Sequence, residues 1–172
     1  FKVNNGESNN IFIENGNIEI IDIKKPIESA VIDLNLSGEI EDIINYVRNS
    51  PINITDFDRI NRLSGKPDFN LKLKFPLLLD LKVDEMIYES TLSFKDSIFY
   101  NLYDKYTLKN ADLDIKIDGT GVNYSGQAKF EGLPLKFVGK QYLHKKMEKE
   151  QIELDVDLDS NFLENNFDSY LK

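Results

Sequence analysis

The sequence predicts a mainly β protein with short helices, of the α+β class: a curved antiparallel β-sheet, half-pipe or groove, with one or two helices capping it. Three observations carry this. Apolar and polar residues alternate with period two in segment after segment, turn signals containing glycine separate those segments, and one stretch switches to a helical period between start and stop signals. The chain has 172 residues, 41% of them hydrophobic. A chain of this size can bury roughly 70% of the surface it exposes when unfolded, which disfavours intrinsic disorder.

Residues 1–10 are polar and rich in asparagine and read as a frayed entry. Ile11-Phe12-Ile13 and Ile18-Glu19-Ile20 are short β-prone runs around Asn15-Gly16-Asn17, a turn signal that suits a hairpin. Ile32, Leu34 and Leu36 alternate with Asp33, Asn35 and Ser37, as in a strand with one buried face, and Gly38 ends the run. The period then changes. Ile40, Ile43, Ile44 and Val47 share one helical face, Glu41 and Asp42 sit in the first turn where the helix dipole favours acids, and Pro51 is the stop. A second, shorter helix is predicted over 55–63, from a Thr55 cap to a Gly65 terminator.

Phe69, Leu71, Leu73 and Phe75 return to period two, and Pro76, which lacks a ladder donor, must end or edge that strand. Tyr88, Leu92 and Phe94 belong to another strand, whereas residues 96–106 space their apolar side chains more like a helical turn or loop. Leu113, Ile115 and Ile117 alternate with Asp112, Asp114, Lys116 and Asp118 before Gly119-Thr120-Gly121 turns the chain. Tyr124, Ala128 and Phe130 run back, Gly132 to Pro134 turns again, and Leu135 and Phe137 complete a meander. Residues 140–150 are charged and read as a solvated helix or loop.

The final segment repeats an earlier order. Ile152, Leu154, Val156 and Leu158 alternate with acids and a helix-like run follows over 162–171, the same strand-then-helix succession as Ile32 to Val47. Repeats at long period mark an array in which no unit covers its own apolar face. Residues 1–172 therefore read as one segment of a larger repeating protein, with a partial second repeat beginning near residue 151. The start at Phe1, with no signal-like leader after it, fits an excised piece.

Composition narrows the function. A net charge of −9 argues against nucleic acid, because phosphate binding needs a local surplus of Lys and Arg, and against docking on anionic headgroups. The longest strongly apolar stretch, Phe75-Pro76-Leu77-Leu78-Leu79, is far below the roughly 18 residues of a membrane span. No cysteine is present, which excludes disulfides, zinc fingers and thiol catalysis.

Catalytic and metal motifs fail on inspection. His144, the only histidine, lies among lysines with no orienting carboxylate and reads as a surface residue. Asp155-Val156-Asp157-Leu158-Asp159 opens like a calcium loop, yet Ser160 stands where that loop needs glycine and Asn166 where it needs glutamate. Ile117-Asp118-Gly119-Thr120 is similar to a phosphatase nucleophile loop but has Lys116 in place of the second aspartate, so a hairpin turn is the better reading. Tyr124-Ser125-Gly126 lacks the first glycine of a nucleophile elbow, and no phosphate loop or dinucleotide fingerprint occurs. Neither a cofactor nor an enzymatic activity is expected.

Three stretches belong together: Gly16 to Ile27, reading GNIEIIDIKKPI; Phe69 to Asp84, reading FNLKLKFPLLLDLKVD; and Leu108 to Leu135, from LKNADL through GVNYSGQAKFEGLPL. In this order they resemble the central region of the AsmA-like proteins of Gram-negative bacteria, in particular the large YhdP-type members. The phrases around Phe75-Pro76-Leu77 and Glu131-Gly132-Leu133-Pro134 are the most specific; Phe137 stands where that family often has Trp.

The resemblance implies a non-enzymatic periplasmic β-groove of the lipid-transfer type, with its inner-membrane anchor outside this segment. Its ligands would be phospholipid acyl chains conducted between inner and outer membrane, in support of the outer-membrane barrier. The lipid-facing candidates are Ile32, Leu34, Leu36, Phe69, Leu71, Leu73, Phe75, Leu113, Ile115, Ile117, Tyr124, Ala128, Phe130, Leu135 and Phe137. Burying one lipid CH₂ contributes about 0.8 kcal/mol, so such a face needs no specific residue to hold a tail. The alternative is a structural or assembly module that contacts other envelope proteins through the Ile40 to Val47 helix or exposed sheet edges. Dimerisation through a sheet edge or the apolar face is one way an isolated slice would cover itself. Period-two faces also line ordinary cores, and periodicity alone does not separate an open trough from a filled one.

Overall fold

The computed structural model describes residues 1–48, 64–100, 107–130, 132–142 and 151–156. One antiparallel sheet runs through them: β1 (Lys2–Ser8), β2 (Ile11–Ile21), β3 (Ser29–Ser37), β4 (Asp68–Pro76), β5 (Ile87–Phe99), β6 (Leu108–Asp118), β7 (Gly121–Phe130), β8 (Leu133–Tyr142) and β9 (Gln151–Val156). Spatial order equals chain order, each strand pairing only with its sequence neighbours, and β1 does not close on β9. α1 (Ile40–Arg48) lies between β3 and β4, and a 3-10 turn over Val83–Glu85 between β4 and β5. The mainly antiparallel β architecture of the sequence reading is thus observed.

The amino terminus departs from expectation. Residues 2–8 are a strand, and the turn that follows is Asn9-Asn10, with φ of 50° and 63°. Two positive-φ residues joining two strands make the type I′ hairpin whose twist matches its flanks, and asparagine tolerates that backbone. Asn15-Gly16-Asn17 is no turn: β2 runs straight through it. Ile13 pairs with Leu36 while Asn15 pairs with Asn35, leaving Glu14 as an extra residue. That bulge moves the face-defining set from odd positions, Ile11 and Ile13, to even ones, Gly16, Ile18 and Ile20. Without it, half the isoleucines of β2 would point to the other side.

A second pair of bulges follows the same logic. On β5 the register shifts between Phe94 and Ser97, and on β6 between Lys109 and Asp112. Asp96 and Asn110 each take φ of 47°, and Asn110 Nδ2 donates to Asp96 Oδ1 at 2.7 Å. The shifts bring Phe99 and Leu108, which pair with each other, to the side that Phe94 and Leu113 occupy. Residues 96–99 are therefore strand rather than helical turn, and Lys140–Tyr142 likewise end β8 rather than begin a solvated loop. The Asp118-Gly119-Thr120-Gly121 hairpin is as read: Asp118 Oδ1 accepts from the Thr120 N–H at 2.8 Å and from its hydroxyl at 2.6 Å.

α1 forms as its periodicity predicts. Ile40, Ile43 and Ile44 are buried in one cluster with Ile11, Leu36, Phe69, Phe94 and Phe99. The Ile40 N–H donates to the Gly65 carbonyl at 3.0 Å, which ties the entry into β4 to the start of the helix. The expected second helix over 55–63, His144, the run over 162–171 and most of the calcium-like loop lie outside the described residues. β9 joins β8 as the last strand of the same sheet.

Candidate functional site

The register places all fifteen lipid-facing candidates on one side of the sheet. Leu36 pairs with Phe69, Phe69 with Leu92, Leu92 with Ile115, Ile115 with Tyr124 and Tyr124 with Gly139. A parallel row joins Gly16, Leu34, Leu71, Ser90, Ile117 and Val122, and another joins Ile18, Ile32, Leu73 and Tyr88. Ala30 and Phe75 pair beyond these, and Phe130 with Leu133 and Ala128 with Leu135 extend the face across β7 and β8.

The fifteen are not equivalent. Leu36, Phe69, Leu113, Ile115, Ile117, Ala128 and Phe137 are buried, while Ile32, Leu34, Leu71, Leu73, Phe75, Tyr124, Phe130 and Leu135 are half-exposed. The buried set includes the residues next to α1 and Leu113, Ile115 and Ile117 of β6; the open set concentrates toward the opposite end of β3 and β4. On β7 and β8 two glycines lie beneath rings. Tyr124 covers Gly139, and a Cβ at Gly126 would stand 2.9 Å from the tip of the Phe137 ring. Each ring spans a partner with no side chain, which joins the two strands in a flat aromatic surface.

The opposite side is polar and self-paired. Asn35 Nδ2 donates to Asn15 Oδ1 at 2.7 Å and Asn70 Nδ2 to Asn35 Oδ1 at 2.9 Å, a ladder across β2, β3 and β4. Lys72 meets Asp33 at 3.6 Å and Lys116 meets Glu89 at 3.2 Å, exposed pairs worth little individually. Two shallow cavities of about 580 Å³ each open here, one walled by Thr91, Ser93, Asp114, Lys116 and Asn123, the other by Asn15, Asn17, Asp33, Asn35 and Asn70.

Few titratable groups reach the apolar side. Burial, followed by the nearby Asp118 charge, raises the Tyr88 phenol. Asp118 itself is held below the usual carboxylate range, first by the Thr120 hydroxyl and then by the Thr120 N–H. Among the described residues no polar or charged side chain is buried and no cluster of three or more His, Cys, Asp or Glu could hold a metal. No described helix is long and apolar enough to cross a membrane.

Several residues of this face escaped the sequence reading. Tyr88, Leu92 and Phe94 alternate visibly with Glu89 and Ser93 and could have been assigned to it from periodicity. Ile13 and Ile18 could not, because their parity differs and only the bulge at Glu14 reconciles them. What the arrangement offers is a contiguous apolar surface with a closed end and an open end. Compared with protein-family models, curated proteins and solved structures, the chain has no match.

Proposed function

We propose that this chain is a lipid-binding β-groove segment, holding phospholipid acyl chains against the apolar side of its sheet. The observation that carries the reading is the continuity of that side across neighbouring strands, together with the half-exposed patch at Ile32, Leu34, Leu71, Leu73 and Phe75. Leucine and phenylalanine left partly in water gain by contact with a hydrocarbon tail, at roughly 25 cal/mol per Å² of apolar surface covered. In this reading the sheet curves around the tail, α1 caps one end, and headgroups stay in water at the open end. The resemblance to AsmA-like proteins supplies the wider frame: a periplasmic location, an inner-membrane anchor elsewhere in the protein, and passage of lipid toward the outer membrane.

The test is lipid extraction and native mass spectrometry on protein purified without detergent, with photocrosslinkers at Leu73 and, as control, at Lys72 on the other side. Phospholipid adducts, and crosslinks from 73 but not 72, are expected. Protein free of lipid, with no crosslink from either position, would overturn the reading. An assembly module is the second reading, with Ile152 and Val156, exposed on β9 and on the same apolar side by register, as its candidate contact. A heteromeric complex lost on mutating those two residues, with lipid absent, would decide for it.

A further inference from the structure

One pair from each strand ladder falls in a single line across the polar side. Asn4 pairs with Asn15, Asn15 with Asn35 and Asn35 with Asn70. From Asn70 the line passes through Thr91, Lys116, Asn123 and Lys140 to Gln151 on β9. The chain has 30 Asp and Glu, yet none stands in this line. Every member also walls one of the two shallow cavities of that side, the asparagines of β1 to β4 one of them and the remaining residues the other. The depressions of the polar side therefore follow the line.

At the β2 to β4 end the amides are held in place. Asn35 donates to Asn15 at 2.7 Å and accepts from Asn70 at 2.9 Å, and Asn70 also donates to Asp33 at 2.8 Å. A carboxamide has two N–H donors and two lone pairs, and in the exposed Asn35 this ladder takes one of each and leaves one of each for a ligand. A sugar hydroxyl, at once donor and acceptor, matches that offer. Neighbouring strands lie about 4.8 Å apart, close to the length of one pyranose residue, so Asn4 to Asn70 spans roughly 14 Å, or about three sugars. Phe12 adds a platform. It lies on the polar side opposite Ser37, next to Asn15 along β2, and is 48% exposed. The negative face of such a ring attracts the C–H face of a sugar.

Charge around the line chooses among polymers. Asp33, Glu89 and Asp118 stand in the neighbouring row on one side, and Asp68, Asp114 and Glu153 in the row on the other. In a chain of net charge −9 these carboxylates repel nucleic acid and anionic polysaccharide. Asp33, the acid beside the asparagines, is already met by Asn70 and by Lys72, which leaves little attraction for a cationic peptide.

We propose that the asparagine line and Phe12 bind an uncharged polysaccharide, laid across β1 to β4 on the polar side. The proposal does not rest on lipid binding, which uses the opposite side. The test is affinity electrophoresis of the full chain through native gels containing dextran, hydroxyethyl cellulose, mannan or laminarin, with alginate as the anionic control and a polysaccharide-free gel as reference. Asn35→Asp keeps the shape and loses the amide donors, Phe12→Ala removes the platform, and Lys136→Ala changes the polar side of β8 away from the line. Circular dichroism checks each fold, and Phe12→Ala decides alone if Asn35→Asp does not fold. Wild type and Lys136→Ala are expected to be retarded by at least one neutral polysaccharide and not by alginate. Asn35→Asp and Phe12→Ala are expected to bind it at least about tenfold more weakly, as the loss of one or two contacts would. No retardation by any neutral polysaccharide, retardation by alginate, or undiminished binding by either folded variant of the line would overturn the proposal.

Discussion

Leu34 and Leu36 lie two residues apart on β3, on the same side of the same sheet, yet Leu36 is buried and Leu34 is half-exposed. β4 repeats the contrast, with Phe69 buried and Leu71, Leu73 and Phe75 not. The difference is what lies above them. Near Leu36 and Phe69, α1 contributes Ile40, Ile43 and Ile44, and the bulges at Asp96 and Asn110 bring in Phe99, so the closed end is a small filled core. At the other end the same alternating pattern leaves apolar side chains partly in water, next to connections that expose still more. The same period-two pattern is thus buried where the nine-residue helix packs on it and only partly buried farther along.

Breaking the closed end has the largest expected effect. Phe94 is 1% exposed and meets Phe99 edge-to-face, with ring centroids 5.8 Å apart. Phe94→Ala is expected to cost about 3–5 kcal/mol in urea unfolding, a large part of an ordinary domain's stability. Gly139→Val comes next. A branched side chain there collides with the Tyr124 ring, and the overpacking is expected to cost about 1–3 kcal/mol, with a changed tyrosine fluorescence as its signature.

Asn110→Val tests the bulge that feeds the closed end. A β-branched residue forced to φ of 47° is expected to cost about 1–2 kcal/mol beyond the lost bond to Asp96, whereas Asn110→Gly loses only that bond. Leu73→Ala, at the open end, is expected to fall below the roughly 2–5 kcal/mol of a buried leucine while reducing bound lipid, which makes stability and lipid content move separately at the two ends.

The smallest effect is that of pH. Hydrogen bonds from the Gln127 amide and the Asp96 N–H hold the Asp112 carboxyl below its usual range, and Thr120 does the same for Asp118. A carboxylate whose folded value lies below its unfolded one stabilises the fold above the ordinary aspartate range. That contribution is lost as pH falls through this range toward the folded values. Both groups are well solvated, so acid is expected to shift the urea midpoint slightly, and less so in Asp118→Ala.

The strands β3, β4, β7, β8 and β9, the Leu113 to Asp118 part of β6 beyond its bulge, and the helix α1 were legible because each keeps one period. β1, β2 and the end of β5 were not. A bulge inserts one residue and reverses the parity on which the reading depends, and nothing local distinguishes the Asn-Gly pair inside β2 from the Asn-Asn pair that turns the chain. The fifteen candidate residues were recovered as one face because alternation fixes sidedness within a strand. Their unequal burial was not recoverable, because it depends on contacts between segments far apart in the chain.

By itself the sequence determined that this protein is an antiparallel sheet with one apolar side and one polar, solvated side. Period two is a local property, dictated by the pleat that sends successive side chains to opposite faces. Tertiary structure alone decided that the nine described strands stack in chain order without closing, that Ile40, Ile43 and Ile44 of α1 are buried in one cluster with Leu36 and Phe69, and that the β2–β3 and β4–β5 connections lie side by side. Those outcomes follow from cross-strand register, and register is set by the pairing of residues that are remote in sequence.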